Sequence, residues 1–148
     1  MILSLLRLLL HASASRPRAR NTACGSAFGF GAIYAVDGQR VTMDHPPISE
    51  ERAEELLRRD VNISYRAVER LTQPYTEDLT RNQKSALASL VFNIGSGNFR
   101  ASAVRSNIVR GEIENAGRQI WQWRRAGGRI MRGLVRRRAE ETDLYFAM

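Results

Sequence analysis

The 148-residue sequence has little of the chemistry that holds metals or disulfides. It has one cysteine, Cys24, and two histidines, His11 and His45. A single cysteine excludes an internal disulfide and a cysteine-based metal cage. The two histidines are far apart in the sequence and lack the close spacing of metal ligands. We therefore predict no metal and no other cofactor.

Lysine is almost absent, since Lys84 is the one lysine among 23 basic residues. With 15 acidic residues the net charge is +8, and residues 100–148 contribute +6 of it, from eleven arginines and five acids. Such a surface favours anionic partners, which include nucleic acid, acidic lipid and acidic wall polymers. No aromatic-basic strand motif or recognition helix supports nucleic acid. We predict no nucleic-acid partner.

Acidic residues are missing from the beginning of the chain, where residues 1–36 contain no Asp or Glu. Residues 1–27 form an atypical segment that is signal-like, disordered or out of frame. Ile2–Leu10 is apolar and Ala12-Ser13-Ala14 is similar to a cleavage site, but Arg7 interrupts the apolar stretch. The stretch is also too short for a stable membrane span, so we predict none.

A β-hairpin is predicted next, over residues 28–44. Ala32–Val36 is a short run of strand type, and Arg40–Thr42 returns from it. Asp37-Gly38 between them is a preferred pair for a tight two-residue turn.

The remainder, residues 49–148, is predicted to form a helical lobe. Ser49 caps a long amphipathic helix whose apolar stripe repeats every three or four residues: Ala53, Leu57, Val61, Ser64, Val68 and Leu71. Residues 73–79 form a loop. Thr80 and Gln83 then form a capping box before a helix that is apolar on nearly all sides, which places it at the centre of the protein. Gly95 and Gly97 are predicted to close it.

Shorter helices are predicted to complete this lobe. Ser102 caps one that ends near Gly111, another covers residues 113–125 before Gly127-Gly128, and the last covers residues 134–146. We expect Trp121 and Trp123 to pack in the core, and residues 136–138, all arginine, to form a solvated face with a secondary role in binding the anionic wall. The fold class is therefore α+β and mostly helical.

Three stretches, in order, are similar to the phage-type lysozymes, the endolysins of glycoside hydrolase family 24. "FGFGAIY" from Phe28 resembles the family's T-I-G-Y/F-G hairpin motif. "LTRNQKSALASLVFNIGSGNFRAS" from Leu79 resembles its L-T-x-x-Q-x-x-A-L-x-S-x-x-F-N-x-G pattern, and "WQWRRAGGRIMRGLVRRRAEE" from Trp121 resembles its W-x-x-A-G-G ending. The resemblance covers residues 28–148, which we predict to be one lysozyme-like domain.

This resemblance implies hydrolysis of the β-1,4 bond between N-acetylmuramic acid and N-acetylglucosamine in peptidoglycan. It implies a small β-lobe, a larger helical lobe and a sugar cleft between them. It also implies a phage or prophage product, made in the host cytoplasm and acting on the wall in the periplasm to lyse the host. We expect a monomer, and the positive charge favours anionic wall polymers as further partners.

The catalytic residues of the family have no counterparts in this chain. Glycoside hydrolysis needs a carboxylic acid, and the family's Glu and Asp precede the hairpin, where this sequence has none. The family's Thr position falls at Ala27. Asp44 is the weak candidate that remains, because Asp37 is a turn residue and Glu50 and Glu51 suit the first turn of a helix. A changed reading frame, a wrong start codon or a recombined prophage remnant would each produce such a contiguous loss.

Three substrate-binding residues are implied by alignment with the family: Ile33, Phe92 and Ser102. Ordinary structural roles compete with two of them, since Phe92 lies on an apolar helix and Ser102 is well placed as a helix cap. Two functions therefore stay open, a peptidoglycan-degrading lysozyme and a catalytically dead remnant or wall-binding protein of the same family. A basic nucleic-acid-binding domain is the third and least supported interpretation.

Overall fold

A computed structural model describes residues 20–22, 25–27 and 50–147. The hairpin predicted over residues 28–44 lies outside these ranges. The chain divides into two compact units, residues 1–62 and 63–148. The first long helix, α1 (Glu50–Leu71), runs through the boundary between them.

The first unit contains a short antiparallel pair of strands, β1 (Arg20–Thr22) and β2 (Gly25–Ala27). Arg20 lies opposite Ala27 and Thr22 lies opposite Gly25. The sequence analysis predicted no strand here, because Asn, Gly, Ser and Ala have weak strand propensity.

Helix α1 confirms the amphipathic pattern. Leu57, Val61 and Val68 are buried, and so is Ser64 on the same stripe. The opposite face is exposed and carries an ion pair between Arg52 and Glu55 at 2.6 Å, one turn apart. Ser49, its predicted cap, lies outside the described residues.

The second unit is built from short elements that follow α1. They are α2 (Arg81–Ile94), α3 (Ser96–Arg100), α4 (Ala103–Ile108), α5 (Ile113–Gln119), a 3₁₀ turn (Ile120–Trp123), β3 (Arg125–Ala126), β4 (Arg129–Ile130) and α6 (Arg132–Phe146). Helices dominate the described part of the chain, which confirms the predicted mostly helical α+β class.

Helix α2 is the central element, and it packs most extensively against α6. The predicted capping box is present: the Thr80 hydroxyl accepts from the Gln83 amide at 3.2 Å, and the Gln83 side chain accepts from the Thr80 amide at 2.8 Å. Residues 85–91 are all buried. Gly95, with φ +82°, ends the helix. Gly97, predicted to close it, instead lies within α3 because the chain re-enters a helical turn at once.

The helix predicted over residues 113–125 is wrong in its second half. Helix α5 ends at Gln119, and after the 3₁₀ turn β3 and β4 form a hairpin. Gly127 and Gly128 have φ of +56° and +77°, and two such residues make the tight turn that joins antiparallel strands. The pair therefore turns a hairpin, whereas the sequence analysis assigned it only a helix break.

The aromatic side chains of this region only partly match the prediction that they pack in the core. Trp121 is 39% exposed, so its assignment to the core is wrong. Trp123 is half-buried. Trp121 is exposed because it lies in the 3₁₀ turn that directly precedes the exposed hairpin of β3 and β4. No helix among the described residues is both long and apolar enough to cross a membrane.

The end of α6 packs closely on α5. Tyr145 is buried, and its hydroxyl donates to the Ile113 carbonyl at 2.8 Å. Burial raises the pKa of the Tyr145 hydroxyl above its usual value. A Cβ placed on Gly117 would lie 2.5 Å from Tyr145 Cδ1 and 2.7 Å from Phe146 Cζ. Gly117 is therefore the small residue that lets the two helices approach.

Replacing two helical glycines tests this contact. Gly117→Ala should destabilise the fold by about 1–3 kcal/mol, because the methyl group overpacks against Tyr145. Gly133→Ala is the matched control, since nothing lies within 4 Å of its Cβ position. There the better helix propensity of alanine should stabilise the fold by up to about 1 kcal/mol. Urea unfolding measures the change in the free energy of unfolding for both variants. If Gly117→Ala and Gly133→Ala change it equally and in the same direction, the close packing of Gly117 against Tyr145 is contradicted.

Alkaline unfolding tests the buried hydroxyl of Tyr145. The unfolded tyrosine ionises near pH 10 and the folded one at higher pH. Its contribution to the free energy of unfolding is therefore fully present below about pH 10 and is lost as the pH rises toward the folded pKa. Over that range the parent should lose up to about 1.4 kcal/mol per pH unit more than Tyr145→Phe. Parallel stability profiles of the two proteins would show that the hydroxyl is not perturbed.

Candidate functional site

The predicted site residues fall in different parts of the molecule. Ile33 and the candidate acid Asp44 lie outside the described residues, and Ala27 ends β2. Ser102 is buried and caps α4: its hydroxyl accepts from the Arg105 amide at 3.2 Å and donates to the Phe99 carbonyl at 2.7 Å. The capping role is thus confirmed, and the role of Ser102 in substrate binding stays a prediction.

Phe92 lies in the last turn of α2 and is half-buried, so part of its ring faces solvent. The guanidinium carbon of Arg137, on α6, lies over the ring at 5.9 Å from the centroid. That distance is within the range of a cation–π interaction. The ring is therefore both packed against the protein and partly available to a ligand.

Arg137 is held in this position by polar contacts on its other side. Its Nε donates to Glu141 Oε1 at 3.1 Å, and its terminal nitrogen donates to the Ser89 carbonyl at 3.2 Å. The contacts come from α6 itself and from α2. The guanidinium plane is thus fixed between two helices instead of moving freely in solvent.

Beneath Arg137 lies a fully buried ion pair between Arg138 and Glu141, both 0% exposed. Arg138 Nε lies 2.9 Å from Glu141 Oε2, and the Ser89 hydroxyl donates to Glu141 Oε1 at 2.6 Å. The predicted solvated face over residues 136–138 is therefore wrong for Arg138. Arg136 is exposed and Arg137 half-buried, whereas Arg138 turns toward α2, where Glu141 compensates its charge.

The buried pair extends to Asn93, whose side chain is exposed at the end of α2. A terminal nitrogen of Arg138 donates to Asn93 Oδ1 at 2.9 Å. Because a guanidinium is a donor, this bond places the amide oxygen inward and the NH₂ group outward. In the described part of the chain nothing accepts a hydrogen bond from that NH₂ group. Asn93, which follows Phe92 in the sequence, therefore presents a hydrogen-bond donor to solvent.

The electrostatics of the cluster are dominated by burial. Burial raises the pKa of Glu141 above its usual range, although both arginines and Ser89 act to lower it. Burial also lowers the pKa of Arg138 to about 10, against the opposing effect of Glu141. Within the described residues Arg138 Nη1 has no hydrogen-bond partner, and the 2.9 Å contact of Nε with Oε2 lacks hydrogen-bond geometry. The pair thus remains costly to bury.

A carboxyl group with a raised pKa is a candidate general acid, so the accessibility of Glu141 decides its role. Its side chain is 0% exposed, and three donors engage Oε1. A general acid must come within hydrogen-bonding distance of the leaving oxygen. Glu141 therefore supports the site structurally, and the surface it supports offers an aromatic ring, a cation and an amide donor.

The arrangement of these elements matches that of known proteins. The family model described as "Phage lysozyme" matches residues 13–141 of the chain. The chain belongs to the phage lysozyme family. The match begins within residues 1–27, which the sequence analysis separates from the domain, and that boundary at residue 27 stays a prediction.

Individual relatives agree with the family match. The endolysin of Bacillus phage B103 is 36% identical over 98 residues, which make up 66% of this chain and 36% of the phage protein. The muramidase domain of SpmX from Asticaccaulis excentricus superposes with a TM-score of 0.77 at 27% identity, covering 98% of this chain and 96% of that one.

A third comparison gives the same fold. An endolysin from Escherichia coli O157:H7 phage FAHEc1 superposes with a TM-score of 0.78 at 26% identity, over 96% of this chain and 90% of that one. The chain spans from about a third to two thirds of the length of the curated relatives that it matches.

The buried polar cluster of Ser89, Arg138 and Glu141 was not predicted from the sequence. Two features of the sequence pointed to it. Ser89 is a polar residue in the middle of an otherwise apolar helix, and Arg138 and Glu141 are three residues apart on the last helix, where side chains are neighbours. Neither feature alone says that the pair is buried, because that depends on which face of α6 meets α2.

A double-mutant cycle tests the buried pair. Glu141→Gln should destabilise the fold by about 3–5 kcal/mol, because it leaves Arg138 buried without its counter-charge. Arg138→Met should cost a similar amount, and Arg138→Met with Glu141→Gln should cost much less than the sum of the two single losses. Glu114→Gln, in the exposed pair with Arg118, is the control and should change stability by less than about 1 kcal/mol. Additive losses in urea unfolding would show that the pair is not coupled.

Proposed function

We propose that the chain is a peptidoglycan-degrading lysozyme that hydrolyses the β-1,4 bond between N-acetylmuramic acid and N-acetylglucosamine. The observation that carries this proposal is the family match over residues 13–141, together with the superposition on a muramidase domain. The protein would be a phage or prophage product that acts on the bacterial wall, in the periplasm, and lyses the host. We propose that it acts as a monomer.

The surface around Phe92 supports a role in sugar binding. A partly exposed aromatic ring provides the flat apolar face on which a sugar ring packs, and the outward NH₂ group of Asn93 is suited to a carbonyl or hydroxyl oxygen beside it. The Arg137 guanidinium adds a positive charge at the same place, which suits the carboxylates of muramic acid and of the peptide stems. We propose Phe92 as a substrate contact on this basis, with Ile33 and Ser102 as further contacts implied by the family.

Hydrolysis requires an acid that protonates the leaving oxygen, and Glu141 is too deeply buried to do so. Asp44 is the weak candidate from the sequence. A second function stays open from the sequence, in which the chain binds the wall but does not cleave it, because residues 1–36 contain no acidic residue.

A clearing assay separates the two functions. On cells with a permeabilised outer membrane, the parent chain should lower the turbidity of the suspension. Phe92→Ala should lower the rate about tenfold, equivalent to the loss of about 1.4 kcal/mol of binding. Phe146→Ala is the matched control, because it removes an exposed aromatic ring at the far end of α6 and should leave the rate unchanged.

Binding to the wall without clearing of the suspension would contradict hydrolysis. If the folded parent chain sediments with purified peptidoglycan but never clears the suspension, it is a wall-binding relative of the lysozymes. If Phe92→Ala and Phe146→Ala clear at the parent rate, hydrolysis stands and Phe92 is a packing residue only.

A further inference from the structure

The hairpin of β3 and β4 is the most exposed element of the second unit. All residues of 125–133 are exposed. Among them Ile130 is 54% and Met131 is 47% exposed, and Trp121 at the base is 39% exposed. Nothing lies within 4 Å of a Cβ placed on Gly127 or Gly128, so the tip projects into open space. We call residues 121–132 the basic hairpin.

The charge of this region has one sign. No acidic residue occurs between Glu114 and Glu140, whereas eight arginines do, and the basic hairpin holds four of them: Arg124, Arg125, Arg129 and Arg132. The neighbouring ion pairs of the second unit, such as Arg118 with Glu114, compensate charge locally. The basic hairpin has no acidic residue on either side of its turn that could form such an ion pair.

Arginines and apolar side chains are interleaved on both faces of the hairpin. Arg125 pairs across the strands with Ile130, and residues directly opposite share a face. Ala126 pairs with Arg129, and their face is the opposite one because successive side chains alternate. The Met131 amide donates to the Arg124 carbonyl at 3.1 Å, which extends the ladder by one further pair. Each face therefore combines positive charge with an exposed apolar side chain.

The base of the hairpin is ordered by Trp121. The Arg124 guanidinium carbon lies 5.6 Å from the centroid of the Trp121 ring, and Nη1 of Arg124 donates to the Trp121 carbonyl at 2.8 Å. The ring is thus fixed at the surface beside a cation. Tryptophan beside arginine, at the edge of an exposed apolar element, is typical of segments that lie at a membrane–water interface.

We propose that the basic hairpin docks onto an anionic phospholipid surface. The four arginines bind lipid phosphates, while the hairpin embeds in the interfacial layer, so that Ile130 and Met131 on its opposite faces both leave water together with Trp121. A nucleic acid or a polyanionic wall polymer would use the arginines, but it would leave Ile130 and Met131 exposed to water. The apolar side chains therefore favour lipid. This docking does not depend on the proposed hydrolysis.

Vesicle binding by the full chain tests the proposal. Trp121 and Trp123 are the two tryptophans of the sequence, so their fluorescence reports on the hairpin directly. With vesicles of equal parts phosphatidylglycerol and phosphatidylcholine, the chain should cosediment and its emission should shift to the blue. With vesicles of phosphatidylcholine alone it should do neither. Binding to both kinds of vesicle, or to neither, would overturn the proposal.

Two pairs of substitutions separate charge from apolar contact. Arg125→Gln with Arg129→Gln should weaken vesicle binding about twenty-fivefold, since each arginine near an anionic surface contributes about fivefold. Ile130→Ser with Met131→Ser should weaken it about tenfold or more and remove the blue shift. The matched control, Arg81→Gln with Arg100→Gln, removes the same charge from exposed positions on α2 and α3 and should leave binding nearly unchanged.

Each remaining outcome counts against lipid docking. If the control weakens binding as much as the hairpin arginines do, the attraction depends on net charge and not on this surface. If the serine variant binds vesicles like the parent, while duplex DNA competes for the same arginines, the hairpin is a nucleic-acid surface. Thermal unfolding by circular dichroism should show that all three variants remain folded.

Discussion

The buried pair of Arg138 and Glu141 is the interaction on which the second unit depends. Both ions belong to α6 and lie where it packs against α2, and they are tolerated there without exposure to water because α2 supplies a hydrogen-bond partner to each of them. Ser89 and Asn93 from α2 complete the polar contacts. Buried pairs of this kind contribute little net stability but strongly penalise any arrangement that separates the partners. Because both ions belong to α6, its register on α2 is fixed by the bonds that cross between the helices, from Ser89 to Glu141 and from Arg138 to Asn93.

That register determines what the surface presents. With Arg138 turned inward, the neighbouring Arg137 is placed over the Phe92 ring, and the Asn93 amide is held with its NH₂ group outward. Helix α6 begins directly after the exposed hairpin of β3 and β4. The arginines of the hairpin and of α6 therefore have two different roles. The inward Arg138 orders the proposed sugar-binding face, and Arg125, Arg129 and Arg132 of the basic hairpin face solvent.

The sequence predicted the elements whose causes are local. The capping box at Thr80, the stripe of α1 and the cap at Ser102 each depend on neighbours within a few residues, and the structure confirms all three. Burial of Arg138 and Glu141 could not be predicted in this way, because Asn93, which accepts from Arg138, is 45 residues away from it, and Ser89, which donates to Glu141, is 52 residues away from it. Gly127-Gly128 suits both a helix end and a hairpin turn, and strand pairing decided between them. The proposed catalytic acid has no local sequence pattern from which to predict it.

The proposed hydrolysis is tested most directly by the chemistry of the products. Purified peptidoglycan would be incubated with the chain, reduced with borohydride, and analysed for amino-sugar alcohols by mass spectrometry. A lysozyme cleaves after N-acetylmuramic acid, so the account predicts new reducing ends that are converted to muramitol derivatives. Reducing ends from N-acetylglucosamine, or no increase in reducing ends with a folded protein bound to the wall, would contradict it.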